Sequence, residues 1–254
     1  MKAIKFELEA SFGWHIRHPA TYRVERTYPI IPPTIIFGIV QNILFTSSHK
    51  TPYKEIIALG SFPKSDVGLS LEMERIVKIK NMKKKEIVSD RHQIEVAHSD
   101  KIECFILLKE GNKSNEIMEK LKNSEGEIVP LTTPQFPAII KRVLECDFQE
   151  DGNSKKLLFT LSQDGLIDGM PYVLPLRYEF KEKEDYRTQK YFRVILPFKI
   201  LSTKHSDRIL ERTKIVLQNE IETIKIDDKY FDKNLIEYCE NKWDKKIKEE
   251  VGTI

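Results

Sequence analysis

Residues 3 to 10 alternate without a break. Ile4, Phe6, Leu8 and Ala10 fall on one side, and Lys5, Glu7 and Glu9 on the other. That period predicts a strand with one apolar face against the core. The next stretch, Ser11 to Pro33, cannot continue as a central strand or a long helix. It contains Gly13, Pro19, Pro29, Pro32 and Pro33, which remove ladder donors and break helices. Pro32-Pro33-Thr34 then opens a helix, because proline at a first helical turn gives up an N–H that has no intrahelical partner. Ile35/Ile36, Ile39/Val40 and Ile43/Leu44 recur at spacing four and form its buried stripe, with an end near Ser47. Gly38 and Gln41 lie off the stripe. A mid-helix glycine often marks close approach of another backbone or of a ligand, and it can equally be merely tolerated. The opening is therefore strand, long loop, helix.

The remaining pattern is mostly strand. Val67, Leu69 and Leu71 alternate, Arg75 to Lys80 alternates basic with apolar, and Ile102 to Leu108 reads as a buried strand. Ser114 is expected to cap a short helix carrying Ile117, Met118 and Leu121. Lys122 to Pro137 reads as a turn-rich connection. Ile139–Phe148 and Lys156–Leu161 read as a strand pair joined by the polar turn Glu150–Ser154. Met170–Phe180 and Tyr191–Ile200 form a second pair with a charged tip at Lys181–Arg187. Asp228 is expected to cap a helix from Lys229 to about Val251, with Phe231, Leu235, Cys239, Trp243 and Ile247 four apart. No internal repeat or low-complexity linker is present.

Of the 254 residues, 40% are hydrophobic and 32% charged, a soluble globular composition and not a disordered one. No apolar run approaches the ~18 residues of a membrane span. The first nine residues have neither signal-peptide nor transit-peptide character, so a cytoplasmic location and no membrane partner are expected. Cys104, Cys146 and Cys239 lie far apart with no CxxC, and read as reduced thiols. GxGxxG, GxxxxGK[ST], HExxH, GxSxG, EF-hand and zinc-finger spacings are all absent. No metal or cofactor is expected. His98-Ser99-Asp100 and His205-Ser206-Asp207 are read as coincidental triad fragments, since adjacent residues rarely make triad geometry.

The net charge of +3 does not by itself name a partner. Its distribution is more informative. Between Arg75 and Arg91 there are seven basic residues, Arg75, Lys78, Lys80, Lys83, Lys84, Lys85 and Arg91, against Glu86 and Asp90. That local surplus of five exceeds the surplus of the whole chain. A hairpin with a lysine-rich tip makes a phosphate clamp, and it is equally a solvated tip. Arg91-His92-Gln93 adds donors and acceptors suited to base edges and sugar hydroxyls. The loop Trp14–Tyr28 mixes Trp14, Tyr22 and Tyr28 with His15, Arg17, His18, Arg23 and Arg26. Such a mixture can stack unpaired bases and hold phosphates, or it can pack beneath a long loop.

At these residues the chain resembles a known family. Phe12-Gly13, then Thr27-Tyr28-Pro29-Ile30-Ile31-Pro32-Pro33-Thr34, then an apolar helix with Gly38, resembles the N-terminal signature of the CRISPR-associated Cas-five family. Arg91-His92-Gln93-Ile94-Glu95-Val96 resembles the strand leading out of that family's thumb. Glu127 to Val143, with Leu131-Thr132-Thr133 in place of a glycine turn, and Leu174-Pro175-Leu176 with Tyr178 and Phe180, are similar to the type I-B branch. The resemblance covers about residues 1–180.

It implies an α+β chain: a ferredoxin-like (RRM-like) RAMP domain over 1–150, with a protruding basic β-hairpin thumb at about 75–108, and a smaller C-terminal β/helix extension over 151–254. It implies a subunit of a type I Cascade complex that caps the crRNA 5′ handle. Its partners would be the Cas-seven-type backbone subunit, the Cascade large subunit and, indirectly, target DNA. The RNA-binding set is then Trp14, Arg17, His18, Arg23, Arg26, Tyr28, Arg75, Lys78, Lys80, Lys83, Lys84, Lys85, Arg91 and His92, with no catalytic residue. Two other readings stay open. One is a metal-independent endoribonuclease acting on precursor crRNA, as in type I-C, using histidines as acid and base. The other is a scaffold subunit that does not touch RNA.

Overall fold

The computed structural model describes residues 1–18, 24–44, 56–81, 86–157, 160–161, 169–181, 184–202, 208–212 and 215–233. In chain order the elements are β1 (Lys2–Glu9), β2 (Val24–Glu25), α1 (Pro33–Leu44), β3 (Ile56–Pro63), β4 (Val67–Asn81), β5 (Glu86–His98), β6 (Ile102–Leu108), α2 (Asn112–Asn123), β7 (Ile128–Pro130), β8 (Pro137–Cys146), β9 (Phe148–Leu157), β10 (Thr160–Leu161), β11 (Met170–Lys181), β12 (Glu184–Leu196), β13 (Phe198–Ser202), β14 (Arg208–Arg212), β15 (Ile215–Ile226) and β16 (Lys229–Asp232). The chain is α+β, with strand content well above helix content among the described residues.

The central sheet runs β3-β6-β1-β8-β7. β1 is antiparallel to both β6 and β8, and β3 is antiparallel to β6. α1 follows β1, and α2 joins β6 to the strands after it; the helices pack on each other and on β3 and β8. The expected face of β1 is buried, with Ile4, Phe6 and Leu8 all core residues. The other face is covered too, contrary to the half-exposed strand expected. The β15–β16 hairpin lies across it: Phe231 meets Phe105 edge-on at 5.7 Å, and Lys5 pairs with Asp227. Glu7 is likewise buried and pairs with Lys64. Burial pushes the Glu7 carboxyl up, but the cations of Lys64 and Arg142 outweigh it and hold the group below its ordinary range. Polar letters at period two thus bought no solvent here; they found partners.

Three other expectations change. Ser114 does not cap α2. Gly111 holds the cap position, and the buried Ser114 hydroxyl donates to the Lys109 carbonyl from inside the first turn. β8 and β9 do not form a hairpin. β8 pairs with β1 and β7, whereas β9 crosses to β15, so Glu150–Ser154 is strand and not turn. Lys229 does not begin a helix. Asp227, at φ 56, and Asp228 form the two-residue turn of the β15–β16 hairpin, a conformation that Asp tolerates better than most residues. Residues 234–254, where the rest of the expected helix falls, lie outside the described residues, as does the expected helix end near Ser47. The β11–β12 pair is as expected, although Tyr191–Ile200 divides at Pro197: β12 ends at Leu196, and β13 pairs instead with β14.

A second sheet runs β13-β14-β4-β5-β2. β14 meets β4 only at Val67–Leu69, and β2 meets β5 only at Gln93–Ile94. Beyond Ser70 on β4 and before His92 on β5, the two strands pair with each other alone among the described residues. They form a two-stranded arm on which Leu71 and Met73 are exposed. The arm closes at His98. Ile102–Leu108, which the expected span of 75–108 would include, is instead the fully buried β6 of the central sheet.

Candidate nucleic-acid interface

The arm carries the basic segment. Arg75, Lys78 and Lys80 are strand positions of β4, and Arg75 stands opposite Arg91 in the ladder. Lys83, Lys84 and Lys85 lie outside the described residues, and so does Arg23.

At the base of the arm, the described parts of the Ser11–Pro33 loop fold back onto β5. Trp14 pairs with Ala97 through both backbone bonds, Arg17 bridges Thr27, and β2 adds a short parallel pairing. Gly13 makes this possible. It sits at φ 72, and a Cβ there would meet the Ala97 carbonyl and lie 2.8 Å from His98 Nδ1. Only glycine fits so close a crossing in that conformation.

The loop divides its expected RNA-binding residues into two groups. Trp14 is 0% exposed, and its indole N–H donates to the Tyr28 carbonyl at 2.8 Å. Tyr28 is 1% exposed, and its hydroxyl donates to the Val173 carbonyl at 2.6 Å. Both are core residues with no ring face open to a base, which corrects their expected role. Hydrophobic burial of large rings wins over exposure, and each polar tip finds a carbonyl. His18 packs its ring 5.0 Å from Tyr28. Burial, helped by the nearby Arg26 cation, holds its imidazole below the ordinary value.

Arg17, Arg26 and Arg91 are exposed on the same neighbourhood of loop and arm. A carboxylate absent from the expected set, Glu25, gathers Arg17 with two histidines. It lies 3.0 Å from His92 Nε2, 3.1 Å from Arg17 Nη1 and 3.4 Å from His15 Nε2. Burial raises the Glu25 carboxyl, but Arg17 and the two imidazoles outweigh that and hold it below its ordinary range. His15 is anchored in turn by Nδ1 on the Glu95 carbonyl at 2.8 Å, and its own carbonyl accepts from the Thr132 hydroxyl. The sequence signal for Glu25 was an acid set between Arg23 and Arg26. Nothing local said that β2 would bring it beside His92, some 67 positions along the chain.

The triad fragment at His98 is explained by the fold: its Nε2 pairs with Ser70 Oγ at 2.7 Å. His205-Ser206-Asp207 lies outside the described residues. No group of His, Cys, Asp and Glu suited to a metal ion occurs among the described residues. Cys104 and Cys146 are free, and burial pushes the Cys146 thiol up to about 11. Cys239 lies outside the described residues.

No protein-family model matches the chain, and no curated protein matches it at a significant level. Among solved structures, it is similar to a CRISPR protein from Archaeoglobus fulgidus, at 14% identity over 91% of this chain and 98% of that one, with a TM-score of 0.46. It is also similar to a chain of the Type III-B Cmr-beta complex bound to cognate target RNA and AMPPnP, at 10% identity over 85% of this chain and 86% of that one, with a TM-score of 0.45. At identities and scores this low, function rests on the residues of the chain itself.

Proposed function

We propose that the chain is an RNA-binding RAMP subunit of a CRISPR effector complex, of the Cas-five type, that holds the 5′ handle of a crRNA and makes no cut. The observation that carries this reading is the arm. Arg75, Lys78, Lys80 and Arg91 of the basic segment lie on two strands that leave their sheet and pair only with each other among the described residues. Strands without a third neighbour keep both edges and both faces available to a polyanion, which is how ammonium and guanidinium groups reach a phosphate backbone.

Topology supports the same assignment. β1, α1, β3, β6, α2 and β8 follow one another in a βαββαβ order, with sheet order β3-β6-β1-β8. That order supports reading the domain as ferredoxin-like, with the arm inserted between the second and third strands of the unit, where the resembled family carries its thumb. The exposed Arg17, Arg26 and Arg91 extend the basic surface to the arm's base. Partners in this reading are a Cas-seven-type backbone subunit and a large subunit, in the cytoplasm.

The test is RNA affinity against salt, using a repeat-derived RNA. Replacing Lys83, Lys84 and Lys85 together by Ala should lower the slope of log K against log salt by about 2, from ~0.7 per single-strand phosphate contact. An unchanged slope removes the arm from the interface. The same RNA incubated in EDTA should stay intact; site-specific cutting that is lost in His92→Ala would replace binding with a ribonuclease.

A further inference from the structure

Gly38 stands in the middle of α1, where glycine is disfavoured against alanine. No atom of the described residues lies within 4 Å of where its Cβ would stand. Close packing against another backbone therefore does not account for it. What lies outside it is a cavity of about 260 Å³ between α1 and the strand β7 at the edge of the central sheet.

The cavity has a definite chemistry. Gly38 brings bare backbone to its lining, and Ile39 and Val129 bring apolar side chains. Gln41 and Asn42 add two carboxamides. Among the described residues, none that lines it carries a charge. Thr34, in the first turn of α1, lines it as well. Thr34 is 2% exposed, and its hydroxyl has no hydrogen-bond partner among the described residues. A buried hydroxyl left without a partner is a cost that a ligand atom can remove.

We propose that this cavity receives one unstacked nucleobase of the bound RNA, flat against Gly38, with its edge toward the Thr34 hydroxyl and the carboxamides of Gln41 and Asn42. The proposal rests on the RNA-binding reading above and adds a site to it. The volume sits just under the ~300–1,000 Å³ of small-molecule sites, so it suits one ring and not a whole cofactor. A phosphate is disfavoured, because no cation among the described residues lines the walls. A hydrocarbon side chain from a protein partner would leave the Thr34 hydroxyl unsatisfied. A base supplies both the flat apolar face and the donors and acceptors on its edge, and carboxamide side chains pair with such edges.

Gly38 also supplies the test, because its open side accepts a side chain without a clash. Gly38→Leu would fill the cavity, and Gly38→Ala is the milder control; both should fold at least as well as the parent. Each of the four ribonucleosides is titrated into nitrogen-15-labelled protein, and the amides of Gly38, Ile39 and Val129 are followed. At least one nucleoside should shift these signals saturably, and Gly38→Leu should abolish the shift. In parallel, Gly38→Leu should weaken repeat-derived RNA ~5–150-fold, the range for one stacked base. Thr34→Val should weaken the same nucleoside while leaving thermal stability unchanged or raised. The proposal is overturned if no nucleoside shifts the three amides, or if Gly38→Leu binds RNA like the parent. It is also overturned if p-cresol, a tyrosine side-chain mimic, saturates the site and the nucleosides do not. If the parent protein binds no RNA at all, the RNA-binding reading itself fails; if the parent binds RNA and Gly38→Leu binds it equally, only the base pocket fails.

Discussion

Glu25→Gln isolates the charge that organises the base of the arm. The change keeps the shape of the side chain and removes its negative charge from among His92 at 3.0 Å, Arg17 at 3.1 Å and His15 at 3.4 Å. The Arg17 side chain is 65% exposed, so that pair is screened and adds only ~0.2–1 kcal/mol. The His15 hydrogen bond is more enclosed, and hydrogen bonds to a charged group contribute about 1.5–3 kcal/mol. Gln retains part of this, so a loss of about 2 kcal/mol is expected. For a chain of this size that lowers Tm by roughly 4–8 °C. The pH dependence has a definite sign. The folded-state carboxyl lies below its ordinary value of 4.5, so its stabilisation is fully present above that value and is lost as pH falls through the folded value. Urea midpoints of parent and variant should therefore differ at pH 7 and converge below about pH 4.5. RNA affinity should move the other way. Removing a negative charge beside Arg17 should tighten binding about two- to five-fold at low salt, an effect that added salt erases. An unchanged midpoint at pH 7, or weaker RNA binding, would refute the role given to Glu25.

Two further substitutions test the loop. Gly13→Ala combines a left-handed backbone with a Cβ driven into the Ala97 carbonyl, and should cost about 2–5 kcal/mol in urea unfolding; a neutral result would mean that the loop does not cross β5 there. Trp14→Phe removes the donor to the Tyr28 carbonyl and should cost about 1–3 kcal/mol while leaving RNA affinity unchanged. Weaker RNA binding without loss of stability would restore Trp14 as a base platform.

The short-range features were legible because the period of a segment reports which of its faces is apolar. β1, the stripe of α1, the buried β6 and the β11–β12 pair could be read this way. So could the concentration of positive charge in residues 75–91, since charge is counted along the chain. Gly13 was visible as a break after the first strand, though not as the crossing with Ala97 that makes glycine necessary.

Other features depend on contacts between distant segments. Lys5 and Glu7 carry the letters of a solvent face, yet both are covered, because opposite charges from far along the chain are there to pair with them: Asp227 of the β15–β16 turn with Lys5, and Lys64 with Glu7. Phe231 fits a helical spacing equally well, and it becomes a strand residue because Phe105 and a two-residue Asp turn offer it a place. Trp14 and Tyr28 have the side chains of a base-stacking loop, but burying two large rings outweighs exposing them once carbonyls are in reach of their polar tips. Glu25 meets His92 only through the parallel β2–β5 pairing. Sequence by itself determined the faces, the helix start and the location of the charge; tertiary structure decided which faces are covered, which aromatics turn inward and which distant side chains meet, because pairing and burial depend on groups that local periodicity does not contain.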